Sequence, residues 1–182
     1  MNNPYKRKKE PEVNRQLILE TAAEIGASAD WNQVTFQAIA DKTGLSKGGI
    51  IHHFRNKEEL LEELVKLSLL ELTDWLSAEK KNAANELPAM AFLRFVVKKS
   101  KDLHYRRTMK VILKAALFND KYKKMWEDSF NEHISGGNAA DLEINNLIIM
   151  LVTDGLWYAD NLGFYNLSDE KKQQIIHKLA SL

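Results

Sequence analysis

From residue 11 onward, apolar positions recur every three or four residues, and no sustained alternation marks a strand. After Pro11, which suits a first helical turn, Val13, Leu17, Ile18, Ala22 and Ile25 share one face of a helix predicted to reach about Ala29. Ser28 to Asn32 reads as a loop, with Trp31 placed to plug the base of the first helices. Phe36, Ile39 and Ala40 form the inner face of a second helix that Thr35 can cap, and a third spans about Ser46 to Phe54. Asn56 followed by Glu59 has the form of a capping box, and opens a fourth helix carrying Leu60, Leu61, Leu64, Leu67, Leu72 and Trp75 to about Ser77. The polar stretch 80–86 breaks the pattern, and Pro88 opens a fifth helix with Phe92, Phe95 and Val96 inward. Further helices are predicted over about Arg106 to Phe118 and Asp120 to Ile134, before the breaker Gly136-Gly137. Residues 141–163 form a long helix that is apolar nearly all round and so must be covered on every side, by its own core and by a second subunit. A last helix runs from an N-cap at Ser168 to the C-terminus, with Asp169 and Glu170 in its first turn. The expected fold is all-α.

One segment carries more than periodicity. Ala40, Gly44 four residues later and Ile50 six beyond that have the spacing of a helix-turn-helix. The small alanine permits close approach of two helices, glycine tolerates the left-handed conformation of a helix C-cap, and Ser46 is a good N-cap for the next helix. With Ile50 and Phe54 inward at i and i+4, the second helix of the pair presents Lys47, Gly48, Gly49, Ile51 and His52 outward. It is short, roughly 13 Å, enough to reach a few base pairs in the major groove. The two glycines leave room for backbone to approach DNA, and Lys47 can meet phosphate or the acceptor edge of guanine.

Composition narrows the alternatives. The 182 residues carry a net charge of +1, no cysteine, and 45% hydrophobic against 28% charged residues, which suits one mid-sized or two small soluble units without disulfides. The opening residues lack the apolar stretch of a signal peptide, and no apolar run reaches a membrane span, so a cytoplasmic protein with no membrane partner is expected. Charge is patterned rather than summed: Lys6, Arg7, Lys8 and Lys9 form a basic arm, the fourth helix leans acidic, and residues 94–114 are strongly basic. The five histidines, at 52, 53, 104, 133 and 177, have no metal-ligand spacing, and no phosphate loop or nucleophile elbow is present. No catalytic residue, metal or cofactor is expected.

The run from Gly44 through Leu-Ser-Lys-Gly-Gly-Ile-Ile-His-His-Phe-Arg-Asn-Lys-Glu-Glu to Leu60 resembles the DNA-binding signature of the TetR/AcrR family of bacterial regulators, and the resemblance is strong over residues 12 to 62. It implies a three-helix DNA-binding domain over residues 1–56, with the basic arm, and a helical effector-binding and dimerisation domain over 57–182. It adds Thr35, His53 and Lys57 as phosphate contacts, and Ser46 counts with them beside its role as a cap. Ile51 departs from the family, which usually has tyrosine there. A branched aliphatic cannot bond phosphate but can pack on a thymine methyl. The segment Asp154 to Gly163 looks like a stretch of one broad subgroup of these regulators.

The implied function is a ligand-responsive, homodimeric repressor, released from a palindromic double-stranded DNA operator by a small-molecule effector. The alternative is an architectural or adaptor DNA-binding protein without an effector. Candidate effector contacts are Trp75, Phe92, Phe95, Met109, Leu113, Trp126, Phe130, Asp154, Trp157 and Tyr158, although aromatic and Met residues at helical spacing also serve as plain core. Asp154 stands out, because a carboxylate inside an apolar run needs a partner, water or a cavity. The fourth helix is the expected lever between the two sites.

Overall fold

A computed structural model describes residues 4–82, 87–135, 137 and 142–182, with only the backbone described at 4–9 and 82. Among the described residues there are nine α-helices and no strand: α1 Pro4–Ser28, α2 Phe36–Thr43, α3 Lys47–His53, α4 Lys57–Asn82, α5 Pro88–Lys99, α6 Leu103–Phe118, α7 Asp120–Phe130, α8 Ile144–Leu162 and α9 Asp169–Leu179. The expected all-α architecture is present.

Local chemistry explains most of the boundaries. Thr35 accepts the Ala38 N–H at 3.0 Å and caps α2, and Ser46 accepts the Gly49 N–H at 3.0 Å and caps α3. Gly44 ends α2 at φ 73°, and Gly163 ends α8 at φ 76°, both in the left-handed region that glycine enters without strain. Asn56 accepts the Glu59 N–H at 2.8 Å, and the Glu59 carboxylate returns to the Arg55 N–H at 2.8 Å, one residue earlier than in the standard reciprocal box. Asp102 caps α6 three residues before the expected start, and Ser168 caps α9 as expected.

Other boundaries also differ from expectation. Helix α1 begins at Pro4 and carries Pro11 inside it, so the basic arm enters as its first turns. The side chains of Lys6 to Lys9 lie outside the described residues. Helix α4 continues to Asn82, through Lys80 and Lys81, because polar residues on an exposed face do not stop a helix. The stretch after Phe130 is a π-helical turn over Asn131–Ser135, and Asp30 caps a 3-10 turn at Trp31–Gln33 inside the expected loop. Gly136 and Asp141 lie outside the described residues.

One continuous core runs from the α1–α3 head into the α4–α9 body. Ile18, Ile39, Ile50, Phe54 and Leu60 are fully buried at the head end, and Leu93, Phe95, Met109 and Ile149 nearly so in the body. Helix α1 lies along α6 in the most extensive helix pairing among the described residues. Gly26 makes that pairing possible: a Cβ there would stand 2.8 Å from Val111 Cγ2 and 3.0 Å from Trp31 Cε3. Helix propensity alone favours alanine over glycine by about 1 kcal/mol, but overpacking against a stiff β-branched neighbour costs about 1–3 kcal/mol. Gly26→Ala should therefore lower the thermal midpoint, by calorimetry; an unchanged or raised midpoint would show that α1 and α6 can part freely.

The first half of the basic block 94–114 is engaged by neighbouring helices. Arg94 bonds Glu79 of α4 at 2.7 Å, Lys99 pairs with Glu71 of α4, Lys101 pairs with Asp169 of α9, and Lys98 stands 4.3 Å over the Trp75 ring.

Candidate DNA-binding surface and ligand cleft

The second helix of the head, α3, has Ile50 and Phe54 fully buried and Lys47, Gly48, Gly49, Ile51 and His52 exposed. The outward set is therefore the one that periodicity selected. Ile51, 46% exposed, is an apolar side chain held in solvent on a face otherwise made of lysine, glycine and histidine. Thr35 and Ser46 are both exposed while capping, so each hydroxyl stands at the surface beside a helix N-terminus.

Three further residues, His53, Arg55 and Lys57, stand at the end of this surface. His53 is partly buried, and that burial, with His52 and Arg15 nearby, holds its imidazole below the usual 6.5. At neutral pH it therefore offers a neutral N–H rather than a full charge. The Lys57 ammonium lies 3.4 Å from the Trp31 carbonyl, drawn back toward the head. Arg55 was not singled out by the sequence pattern; it is exposed and makes no side-chain ion pair among the described residues. Its position between the end of α3 and the start of α4 was the available signal. The guanidinium of Arg15, by contrast, is committed to Glu63 at 3.0 Å and to the Phe54 ring at 4.7 Å.

In the body, a cleft of about 410 Å³ opens between α5, α7 and α8. Six of the ten candidate effector residues meet there: Phe92, Trp126, Phe130, Asp154, Trp157 and Tyr158, joined by Glu127 and Asn131. Its aromatic walls are in mutual contact, with ring centroids 6.1 Å apart for Trp126 and Trp157, 5.0 Å for Trp157 and Tyr158, and 6.0 Å for Phe92 and Phe130. Asp154 makes no hydrogen bond or ion pair among the described residues, and burial pushes its carboxyl up to about 6. Trp157 donates its indole N–H to the Tyr105 hydroxyl of α6 at 3.0 Å.

The other four candidates are not brought to this cleft. Phe95 and Met109 are buried in the core, where Phe95 packs edge-on against Tyr105, and Leu113 packs partly buried against the same core. Trp75 donates to the Ala91 carbonyl at 3.2 Å and lines a separate groove with Arg94, Lys98 and Asp169. Helical spacing places an aromatic on the inner face but does not distinguish a filled core from a cavity wall.

Exposed apolar residues on α8 form a second feature. Ile144, Ile148, Leu151, Tyr158 and Leu162, with exposed Gly155 between them, follow one another at intervals of four and three residues, one continuous face of the helix. Leu151 is 63% exposed, and Phe164 and Tyr165 extend the patch beyond the helix end. A Cβ on Gly155 would meet nothing within 4 Å, so no neighbour in this chain requires glycine there.

A capped helix pair with a solvent-facing second helix, set on a helical body with a cleft, defines a DNA-binding regulator of the helix-turn-helix class. The chain belongs to the TetR family: residues 18–64 match the model for bacterial regulatory proteins of that family, and residues 88–182 match a tetracyclin repressor-like C-terminal domain. It is 28% identical over 160 residues to the HTH-type transcriptional repressor KstR2 of Mycobacterium tuberculosis (strain CDC 1551 / Oshkosh), covering 79% of this chain and 78% of that protein. The Mycolicibacterium smegmatis KstR2 repressor is 23% identical over 165 residues, covering 81% of this chain and 78% of that protein. Among solved structures, a transcriptional regulator from Saccharomonospora viridis in complex with choline superposes with a TM-score of 0.68 at 18% identity, covering 93% of this chain and 96% of that one. The KstR2 structure from Mycobacterium tuberculosis gives 0.57 at 23% identity, covering 91% and 92%. At these identities the structural likenesses speak for the fold. Among the described residues no helix is long and apolar enough to cross a membrane.

Proposed function

We propose that this chain is a homodimeric repressor that binds a palindromic operator through α3 and is released by a small organic effector in the α5–α7–α8 cleft. The observation that carries the reading is the pairing of an α3 face that is free of packing duties with a cleft that still holds an unpartnered carboxylate. The functional head is residues 1–56 and the body 57–182, with α4 opening the body directly at the end of the head. The apolar stripe on α8, centred on Gly155, is the subunit seam. A two-fold seam there presents two recognition helices by symmetry, which is why the operator should be palindromic. The repressor relatives support the direction of regulation, and the choline complex of a like-folded regulator supports a scaffold that can hold a small organic molecule.

The bound effector must favour the form that does not hold DNA, or nothing shifts. Helix α4 joins head and body covalently, but Trp75 lies away from the cleft. Helix α6 touches both: Tyr105 receives the Trp157 N–H, and Val111, six residues on, packs at Gly26 of α1. The coupling element is therefore α6 together with α4.

Selection from random duplexes should yield a palindrome, measurable by sequencing the retained fraction. Against the selected site, Arg55→Ala and Lys57→Ala should weaken binding evenly across sequences and reduce its salt slope, whereas Ile51→Ala should change preference at one base pair per half-site by about 1 kcal/mol or more. If Ile51→Ala leaves site preference untouched, its base-contact role is wrong.

A further inference from the structure

The chemistry of the cleft goes further than "small organic effector". Of its lining residues, Asp154 and Glu127 are acidic and none is basic. Asp154 projects from the third turn of α8 into a space walled by Trp126, Trp157 and Tyr158 and gains no hydrogen bond from any of them among the described residues. The one indole N–H of the wall with a resolved partner is turned away, to Tyr105. A half-buried carboxylate without a donor is costly to keep, and its natural complement is a positive charge. Aromatic faces supply the rest, since their negative π-clouds attract a cation within about 6 Å of the ring centre. An anion meets the unpaired Asp154 carboxylate there, while a neutral donor offers it a hydrogen bond but no charge; Glu127 has its own cation in Lys123 at 3.6 Å.

Resting on the effector reading above, we propose that the cleft recognises an organic cation, an ammonium with an aromatic or other apolar body, held by Asp154 and by the faces of Trp126, Trp157 and Tyr158. The ring contacts exclude intercalation: at 6.1 Å between centroids Trp126 and Trp157 already touch, so the ligand lies across their faces. The volume of about 410 Å³ exceeds what a bare tetramethylammonium would fill, so the apolar body contributes to binding as well as the charge. The raised carboxyl of Asp154 fits this chemistry, because a bound cation restores the ionised form.

The test uses the full chain and two probes of nearly equal shape, benzyltrimethylammonium and its uncharged carbon analogue neopentylbenzene. Binding is read by calorimetry and by tryptophan fluorescence, with operator release measured separately. The cation should bind at least about tenfold more tightly than the analogue, and Asp154→Asn should remove most of that preference while leaving the analogue unaffected. Asp154→Asn is expected to fold, because it removes an uncompensated charge; its thermal midpoint should equal or exceed that of the parent. Equal binding of the two probes, no binding of the cation at millimolar concentration, or a preference that survives Asp154→Asn would each overturn the proposal. So would weakened dimerisation in Asp154→Asn with cation binding unchanged, which would assign the carboxylate to the subunit seam. If the cation binds through Asp154 but does not release operator DNA, the cation site stands and the effector reading fails.

Discussion

Leu151→Glu is expected to convert the protein to monomers at micromolar concentration and to lower operator affinity by at least about 100-fold. The size follows from linkage: two tethered heads engage a palindrome with an effective concentration that a single head lacks, worth roughly 10² to 10⁴ in affinity. Leu151 lies in the exposed α8 stripe one turn before Gly155 and touches solvent over 63% of its surface, so the charge disturbs nothing inside the subunit. Gly155→Leu provides a second route to the same result. Its side chain has open space in the isolated subunit but would hold two facing α8 helices apart. Replacing a helix-interior glycine should also raise the helicity of the subunit, so lost association cannot be traced to misfolding. Sedimentation of both variants decides the matter. Dimers of undiminished affinity would place the seam elsewhere.

The second large effect is expected from Tyr105→Phe. The change keeps the ring that packs on Phe95 but strands the Trp157 indole N–H in a buried setting, at a cost of about 1–3 kcal/mol. The thermal midpoint should fall by roughly 2–12 °C for a chain of this size. More diagnostic is the coupling between sites. An effector that releases DNA binds the free protein more tightly than the DNA complex, and such coupling is commonly about 1–3 kcal/mol. Tyr105→Phe should bring that ratio down severalfold, toward one, while changing affinity for the free protein much less, because Tyr105 does not line the cleft. An unchanged ratio would leave α4 as the sole link between cleft and head.

The helices themselves were legible in the sequence because their determinants are local. Thr35, Gly44, Ser46, Asn56 and Ser168 act on backbone within four residues of themselves, and apolar spacing needs only the helical period. The outward face of α3 was legible for the same reason: Ile50 and Phe54 turn inward, so their neighbours must turn out. What periodicity could not decide was what lies opposite an inward or outward residue. Phe95 and Phe92 share one face of α5, yet Phe95 fills the core while Phe92 walls the cleft, a difference set by α7 and α8. Lys57 is drawn to a carbonyl 26 residues earlier in the chain, and the first half of the basic block is answered by α4 and α9, contacts that no local rule encodes. The all-round apolar character of 141–163 showed that α8 needed cover on every side. Only the packed body determined which stripe its own chain leaves bare, because burial of one helix face depends on where every other helix has come to rest.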